Sequence, residues 1–517
     1  MKIVTVEEMR RMEEGAAAAG VSLSQLMENA GLAVALNLKE LLGNVEGQEI
    51  LALIGSGNNG SDGLVAARHL HDWGAKVEVY LCSSRSAEDP NLSNVKERQI
   101  PVLSTDGDKD YSNLKASLRS TRVVIDAVLG TGRTRPLQGV IKEILQAVSQ
   151  EKEGRPELFI VALDIPTGLD PNSGHLDPFS PGADVTLTLG FPKVGLFNFP
   201  GAEKIGRLEV LDIGIPDNLS DDISLELMTR EWARDNVPRR PSYAHKGTFG
   251  RVLIIAGSLN YVGAAYLASM AAARVGAGLV TLAVAQSLVP ILASKLAEIT
   301  YIPLPESETG AIDYRAATVL RPRLSEYDAM LIGCGLGQNP AVGGFVRGLL
   351  LSSPLGEMPL VVDADALNVL SQTPQWWQRL PQEAILTPHA GEMGRLAQKP
   401  VDEVQAGRLK LARETASHWN KTVVLKGAHT VVASPDGKAM LSPFANPGLA
   451  TAGTGDVLAG VILGLLAQGS SLFQAASLGV YMHASVGEEA KNELGDAGML
   501  ASDLLNRFPG WLKRLKE

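Results

Sequence analysis

Several short segments of this chain carry more polar chemistry than a structural turn requires. The first is Gly55-Ser-Gly-Asn-Asn-Gly-Ser-Asp-Gly63, lying between an apolar run and a helical one. Glycine lets backbone approach a ligand closely and adopt positive φ. A helix N-terminus just beyond offers free N–H groups to a phosphate. Gly55, Gly57 and Gly60 fit G-x-G-x-x-G, a weak signal by itself. A plain nicotinamide-dinucleotide fold wants an acidic residue ~20 positions on, at the end of the next strand. That strand ends here at Cys82-Ser83-Ser84-Arg85, without an acid. Ser84 and Arg85 suit a 2′-phosphate instead. Asn58, Asn59, Ser61 and Asp62 crowd side-chain amides and oxygens into the same loop, which a capped turn alone does not need.

Two more strand ends repeat the pattern. Val124-Ile125-Asp126 closes an apolar run with a carboxylate, and Gly130-Thr131-Gly132-Arg133-Thr134-Arg135-Pro136 follows with two guanidiniums. Leu163-Asp164-Ile165-Pro166-Thr167-Gly168 places a further carboxylate at a further strand end. A single Asp there is often a loop cap. Several converging favour a site, because open α/β sheets bind ligands beyond the carboxyl ends of their strands.

The densest motif lies in the second half. Asn446-Pro-Gly-Leu-Ala-Thr-Ala-Gly453-Thr-Gly455-Asp456 runs into the apolar stretch VLAGVILGLLA. A glycine-rich backbone leading into a helix makes an anion hole. Asp456, in the first turn, is placed to accept a proton from a hydroxyl; as a plain helix cap it would leave the Ala-Gly-Thr-Gly run unexplained. Upstream, Lys426-Gly427-Ala428-His429-Thr430 sits at a strand end, apt for nucleotide phosphates. His389 and Glu392 follow another strand, Asp363 and Asp365 a third, and Gly333-Cys334-Gly335-Leu336-Gly337 a fourth. Asp365 is read equally well as a helix cap. Isolated histidines such as His69, His71, His418 and His483 read as surface or internally satisfied residues.

These segments need strands and helices in alternation to position them, and the sequence supplies both. Buried-strand runs fall at Glu49–Gly55, KVEVYLC, VVIDAVLG, LFIVALDI, VTLTLG and RLEVLDIG, with a helix expected from about Leu64 to Trp73. A capping-box pattern at Thr5 and Glu8 starts an earlier helix. The stretch IPDNLSDD and the prolines of VPRRPSY mark a boundary near Asp221, giving domains 1–221 and 222–517. Beyond it come RVLIIAG, an Ala-rich helix at Val262–Arg274, then LVTLAV, AMLIGCG, PLVVDAD, AILTP and KTVVLKG, with a hairpin turn at Pro435-Asp436-Gly437. This is α/β architecture with parallel sheets.

Bulk properties agree. With 517 residues, 45% hydrophobic and 20% charged, the chain exceeds one ordinary core. A net charge of -10 argues against a nucleic-acid-binding face. Two distant cysteines exclude a disulfide framework or a Cys-based metal site and suit a reducing cytoplasm. The N-terminus lacks a signal-peptide core, and the longest apolar run falls short of the ~20 residues of a membrane span. A soluble cytoplasmic protein is expected.

The set GSGNNGSDG, DAVLGTG and ALDIPTGLD resembles the NAD(P)H-hydrate epimerase domain, also known from the apolipoprotein A-I binding protein family, over roughly the first 220 residues. The resemblance implies a Rossmann-like three-layer sandwich. It implies that Asn58, Asn59, Gly60, Ser61, Asp62, Gly130, Thr131, Gly132, Arg133, Thr134, Arg135 and Pro136 bind the hydrated dinucleotide, with Asp164 as acid/base. Asn59, Asp126 and Thr167 would hold K⁺. Ser61 departs from the more usual second glycine of the loop. HKGTFG, GCGLG, VVDADALN, LTPHAGE, VVLKGAHT and NPGLATAGTGDVLAG resemble the ribokinase-like superfamily, and within it the ADP/ATP-dependent NAD(P)H-hydrate dehydratase, over about residues 225 to 515. By that resemblance Lys426 to Thr430 and Gly455 contact ADP. Asp456 acts as base, and Ala264, Gly335, Gly337 and His389 line the substrate side. Mg²⁺ would accompany the phosphates, with Glu392 a candidate ligand.

The implied activity is repair of NADHX and NADPHX: epimerisation of the R and S 6-hydroxy forms, then ADP-dependent dehydration of the S form with release of AMP and phosphate. Self-association is expected of folds of this type, although no stretch marks an interface. Two other readings compete. A vitamin-precursor kinase with an accessory domain shares the Gly-Thr-Gly-Asp chemistry but leaves GSGNNGSDG and DIPTG unexplained. A non-catalytic nucleotide-sensing or protein-binding first half is the other.

Overall fold

The computed structural model describes every residue except 133–135, 308–309, 353–354 and 357. The chain forms two compact units, Met1–Ile223 and Ser224–Glu517. The division falls after Ile223 rather than at Asp221.

In the first unit, Thr5 caps helix α1 (Val6–Ala18): the Glu8 N–H donates to Thr5 Oγ1 at 3.2 Å, and the Thr5 N–H donates to Glu8 Oε2 at 2.7 Å. Among the described residues seven strands follow: β1 (Glu49–Ile54), β2 (Lys76–Leu81), β3 (Val102–Ser104), β4 (Val123–Ala127), β5 (Phe159–Leu163), β6 (Val185–Leu189) and β7 (Arg207–Leu211). They make one parallel sheet in the order β3-β2-β1-β4-β5-β6-β7. Successive strand residues face opposite sides. Thus Ile50, Ala52 and Ile54 join the core packed by helices α2 (Leu23–Leu42) and α3 (Asn58–Asp72), while Leu51 and Leu53 join a second core with Tyr80, Leu114 and Ile144. Helices on both faces bury the sheet, which is why its strands read as continuous apolar runs. Winding reverses between β1 and β4, and the loops diverge past their carboxyl ends.

Helix α3 begins at Asn58, six residues before the expected start at Leu64. The polar run Asn58–Asp62 therefore forms its first turn rather than a loop. Intrinsic propensity disfavours such residues in a helix interior, but a first turn accommodates them.

Among the described residues the second unit has ten strands: β8 (Leu225–Leu227), β9 (Arg251–Ile255), β10 (Leu279–Ala285), β11 (Thr300–Leu304), β12 (Ala329–Ile332), β13 (Leu360–Val362), β14 (Ala384–Leu386), β15 (Thr422–Leu425), β16 (Val431–Ala433) and β17 (Ala439–Leu441). Their order is β11-β10-β9-β12-β13-β14-β15-β16-β17-β8. From β11 to β15 all pairs are parallel; the hairpin β16–β17, turning at Pro435-Asp436-Gly437, is antiparallel. β3, β8 and β11 were not expected. β3 and β8 have three residues each, and β11 carries Pro303, which a sheet tolerates at an edge. No helix among the described residues is long and apolar enough to cross a membrane.

Candidate functional site

The first unit holds a cavity of about 1000 Å³ beyond the ends of β1, β4, β5 and β6. Asn58, Asn59, Ser61, Asp62, Gly130, Thr131, Gly132 and Asp164 line it. Gly60 lies behind its wall, where a Cβ would come within 2.2 Å of the Gly55 carbonyl oxygen. Pro136 is exposed and not part of the lining. Arg133, Thr134 and Arg135 lie outside the described residues. A Cβ at Gly55 would sit 1.8 Å from the Val128 carbonyl oxygen, so only glycine allows β1 and the Asp126 loop to close there.

Arg85 has a different task from the one expected. Its guanidinium is nearly buried and donates to the Gly55 carbonyl at 2.5 Å, the Gly57 carbonyl at 3.3 Å, Ser61 Oγ at 2.6 Å and Asp89 Oδ2 at 2.6 Å. It clamps the glycine loop and has little left for a 2′-phosphate. The same contacts explain Ser61, whose hydroxyl accepts from Arg85 where glycine would offer nothing.

Asp126 is fully buried. Its carboxylate accepts from the Thr167 N–H at 2.8 Å, Thr167 Oγ1 at 2.6 Å and the Val128 N–H at 3.3 Å. Burial nevertheless pushes its carboxyl up, and among the described residues no basic side chain offsets that. Asn59 Nδ2 is buried without a hydrogen-bond partner among the described residues. A half-turn of that amide would present an oxygen to the same space. One uncompensated carboxylate, a hydroxyl and an amide fit a singly charged hard cation. They offer too little charge for a dedicated divalent site.

Asp164 adopts φ 67°, in the left-handed region, and is 8% exposed. Non-glycine residues persist there only when their surroundings fix them. Here Lys193 ion-pairs with Asp164 Oδ1, which also accepts from the Leu189 N–H at 3.1 Å and Thr188 Oγ1 at 3.2 Å. Lys193 is almost entirely buried and spends further protons on the Leu189 carbonyl at 3.0 Å and Thr188 Oγ1 at 3.3 Å. Asp62 and Glu13, also on the cavity wall, make no hydrogen bond to described residues. Burial, then the charges of Asp164 and Glu13, push the Asp62 carboxyl well up, and burial raises Glu13. Lys193 and Glu13 were not picked out as site residues from sequence.

In the second unit a cavity of about 490 Å³ is lined by His389, Lys426, Gly427, Ala428, Thr430 and Gly455. His429 is not in the lining: it is buried, with Nδ1 at 3.1 Å from the Ser442 carbonyl oxygen. Gly453, at φ 92°, caps the helix Thr454–Ala467, and a Cβ on Gly455 in its first turn would stand 3.4 Å from Lys426 Nζ. Lys426 Nζ donates to Asp363 Oδ1 at 2.7 Å and lies 3.9 Å from Glu392 Oε2. Asp456 stands in the helix's first turn. Burial, then the Asp363 charge, push its carboxyl up to about 6, against the opposing pull of Cys334 and Lys426.

Ala264, Gly335 and Gly337 form a neighbouring wall, joined to Asp456 through Cys334. A Cβ at Gly335 would fall 2.7 Å from Ala264 Cβ. Asp365 accepts from the Gly337 N–H at 2.8 Å, so it secures this loop as well as opening a helix. His389 Nδ1 accepts from the Gly391 and Glu392 N–H groups at 3.0 and 3.3 Å, while Glu392 returns a bond to the His389 N–H at 2.9 Å. Glu392 is thus held by its own helix. Among the described residues no three His, Cys, Asp or Glu side chains gather as a metal site, so a Mg²⁺ here would depend chiefly on phosphate oxygens. His483 and Asn446 also line the cavity, and His483 Nε2 and Asn446 Nδ2 are buried without partners among the described residues. His483 is therefore neither a surface residue nor a fully satisfied one; burial pushes it down to about 4.

Residues 252–509 match the NAD(P)H-hydrate dehydratase family, and residues 23–195 match the YjeF-related protein N-terminus. The bifunctional NAD(P)H-hydrate repair enzyme of Moorella thermoacetica is 40% identical over 527 residues, covering 100% of this chain and 98% of its own length. The enzyme of the same name from Thermofilum pendens is 37% identical, covering 100% of this chain and 97% of its own. A ribokinase-like superfamily protein from Enterococcus faecalis aligns in structure with a TM-score of 0.50 and 25% identity, covering 57% of this chain and 98% of its own. Two matched domains in one chain, and relatives aligned along its whole length, make it a member of the bifunctional NAD(P)H-hydrate repair enzyme family.

Proposed function

We propose that the first unit interconverts the R and S forms of 6-hydroxylated NADH or NADPH, and that the second dehydrates the S form at the expense of ADP, releasing AMP and phosphate. The observation that carries this reading is that each unit sets a carboxyl of raised pKa at a cavity, Asp62 on the wall of the first and Asp456 next in the chain to Gly455 of the second, within one chain whose relatives align along its full length. A kinase with an accessory domain gives no reason for the first cavity, and a non-catalytic first half gives none for its carboxyl cluster.

In the first unit, Asn58, Asn59, Ser61, Gly130, Thr131 and Gly132 bind the hydrated dinucleotide, with free N–H groups of α3 toward its phosphates. Asp164, fixed by Lys193, presents a stationary negative charge to the ring, a stabiliser for positive charge developing on nitrogen. Asn59, Asp126 and Thr167 would hold K⁺, which would supply fixed positive charge beside the buried Asp126.

In the second unit, Lys426, Gly427, Ala428, Thr430 and Gly455 hold the nucleotide. Ala264, Gly335, Gly337 and His389 bound the hydrate, and Asp456 faces its 6-hydroxyl. Asp456 takes the hydroxyl proton as the oxygen attacks the terminal phosphorus. The backbone N–H groups of Thr454–Asp456 and the Lys426 ammonium neutralise charge on the transferring phosphoryl group. Phosphate then leaves C6 with the C–O bond pair as the ring nitrogen donates its lone pair, and loss of a C5 proton to water returns that pair to nitrogen and leaves the C5–C6 double bond. Mg²⁺ bound through the phosphates would supply further charge neutralisation. Two free buried cysteines suit a reducing cytoplasm.

The test is absorbance of reduced nicotinamide after mixing R and S hydrates with ADP, Mg²⁺ and K⁺. Full recovery, faster than spontaneous epimerisation allows, is expected. Recovery halting at the S fraction would remove the epimerase reading. No recovery with ADP or ATP would remove the dehydratase reading.

A further inference from the structure

We infer that Asp62 and Glu13 are the proton-carrying pair of the first cavity, Asp62 as donor and Glu13 as acceptor, while Asp164 serves as the fixed ion-pair partner of Lys193. The inference deepens the epimerase reading and rests on it.

The geometry separates three carboxyls that share one cavity. Asp164 is spoken for: Lys193, the Thr188 hydroxyl and the Leu189 N–H all converge on Oδ1. Those contacts anchor the Asp164 carboxylate in place, with Lys193 as its dedicated ion-pair partner. Asp62, on α3, is 8% exposed and has no hydrogen-bond partner among the described residues. Glu13, half-buried on α1, has none either. Both border the same space as Asp164 and Lys193. Asp62 faces Glu13 from α1, Asp164 from the loop after β5 and Lys193 from the loop after β6; Glu13 has Arg10 and Glu14 as further charged neighbours. Glu28, on α2, also borders the cavity but is engaged by Arg68 and by His69 Nε2 at 2.8 Å. Burial around Asp62, then the two like charges near it, push its carboxyl well above the ordinary range against the opposing pull of Lys193.

Inversion of a hemiaminal carbon needs one donor and one acceptor. The Asp62 carboxyl gives its proton to the ring nitrogen as the N–C6 bond breaks, and that electron pair stays on nitrogen. The Glu13 carboxylate takes the 6-hydroxyl proton, and the O–H pair becomes the second bond of an aldehyde. Rotation about C5–C6 presents the other aldehyde face. The nitrogen then attacks it, Glu13 returns its proton to oxygen, and Asp62 recovers its own from nitrogen. Nothing is oxidised or reduced, and no other reactant enters.

The experiment follows epimerisation of purified R hydrate by chromatography, with the whole chain and no nucleotide, so that dehydration is silent. Asp62→Asn should lower kcat by ~100-fold or more with KM within ~3-fold, the usual scale for a lost proton carrier. Asp62→Glu should recover part of it. In the native chain kcat should fall on the alkaline side as Asp62 loses its proton. In Glu13→Gln, kcat should fall, and this limb should move to lower pH because a like charge has gone. Dehydratase activity on the S form checks the rest of the chain. Native kcat in Asp62→Asn, or a change confined to KM, would overturn the inference. So would native kcat in Glu13→Gln, which carries the test should Asp62→Asn fail to fold. No acceleration by the native chain would instead sink the epimerase reading itself.

Discussion

Replacing Asp456 by Asn should make the second unit more stable while abolishing its chemistry. The carboxyl is held at about 6 against its ordinary 3.8. The folded unit therefore binds this proton more tightly than the unfolded chain does. Stability is greatest where both forms are protonated, declines as pH rises past the ordinary value, and levels off above about pH 6. At about 1.4 kcal/mol per tenfold difference in proton binding, the ionised folded form carries roughly 3 kcal/mol of strain. Asn has nearly the same shape and no charge, so Asp456→Asn should relieve up to that amount at pH 7.5 and almost none near pH 4. Calorimetry of the whole chain reads this directly, with added ADP identifying the transition that belongs to the second unit. Dehydration of the S hydrate should fall to background in the same protein. A variant no more stable than the native chain at pH 7.5, or equally stabilised at pH 4, would refute the electrostatic reasoning. Surviving dehydration would refute the assignment of the base. Strain of this kind is the usual cost of a poised functional group.

Other perturbations separate the parts of each site. Arg85→Met removes the clamp on the Gly55–Ser61 turn and should raise KM for the hydrate ~10-fold or more, with the dehydratase unaffected; Ser61→Gly, which loses one charge-assisted bond, should show a milder form at ~1–2 kcal/mol. Lys193→Met strands Asp164 as a buried, unpaired charge and should cost the first unit ~3–5 kcal/mol in calorimetric stability, most of it recovered in the double variant with Asp164→Asn. An unchanged transition in Lys193→Met would mean the pair is not the brace its burial suggests. Gly335→Ala forces a side chain into φ 61° and to within 2.7 Å of Ala264 Cβ and Tyr261 Cβ. It should raise KM for the S hydrate more than KM for ADP, and equal effects would place that wall elsewhere.

Much of the architecture was legible because its strands are buried on both faces. Such strands appear as unbroken apolar runs, and Gly-Asp segments just past them mark the carboxyl edge of the sheet. The helix Val262–Arg274 and the hairpin at Pro435–Gly437 were readable for equally local reasons. The start of α3 was misread because Asn58–Asp62 is polar and loop-like, whereas its polarity serves the cavity. Lys193 was missed for another reason. It stands alone among apolar residues, 29 positions from its partner, and only the fold brings them together. A solitary lysine in a stretch otherwise destined for burial is nonetheless a signal, since a buried ammonium requires a carboxylate. Arg85 was seen but given the wrong partner: sequence reveals a cation at a strand end, not whether backbone carbonyls have already claimed it.

The two sites share a device that neither motif announces. In the first, Asp164 is neutralised by Lys193; in the second, Asp363 is neutralised by Lys426. Each pair is buried, and each stands close to another carboxyl that has no lysine of its own, Asp62 in one case and Asp456 in the other. The pair's carboxylate stands as a fixed negative charge beside that neighbour, only partly offset by its lysine. That charge, together with burial, raises the second carboxyl toward neutrality, where a proton carrier is most effective. Removing the pair's carboxylate should therefore lower the neighbour's pKa rather than merely weaken binding. In the second unit, Asp363→Asn removes a like charge and leaves Lys426 unbalanced, and both changes act on Asp456 in the same direction. The acid limb of dehydratase kcat, set near pH 6 by Asp456, should move to lower pH in Asp363→Asn. A limb that stayed in place, with only the maximum reduced, would mean that Asp363 serves to position Lys426 and does not tune the base.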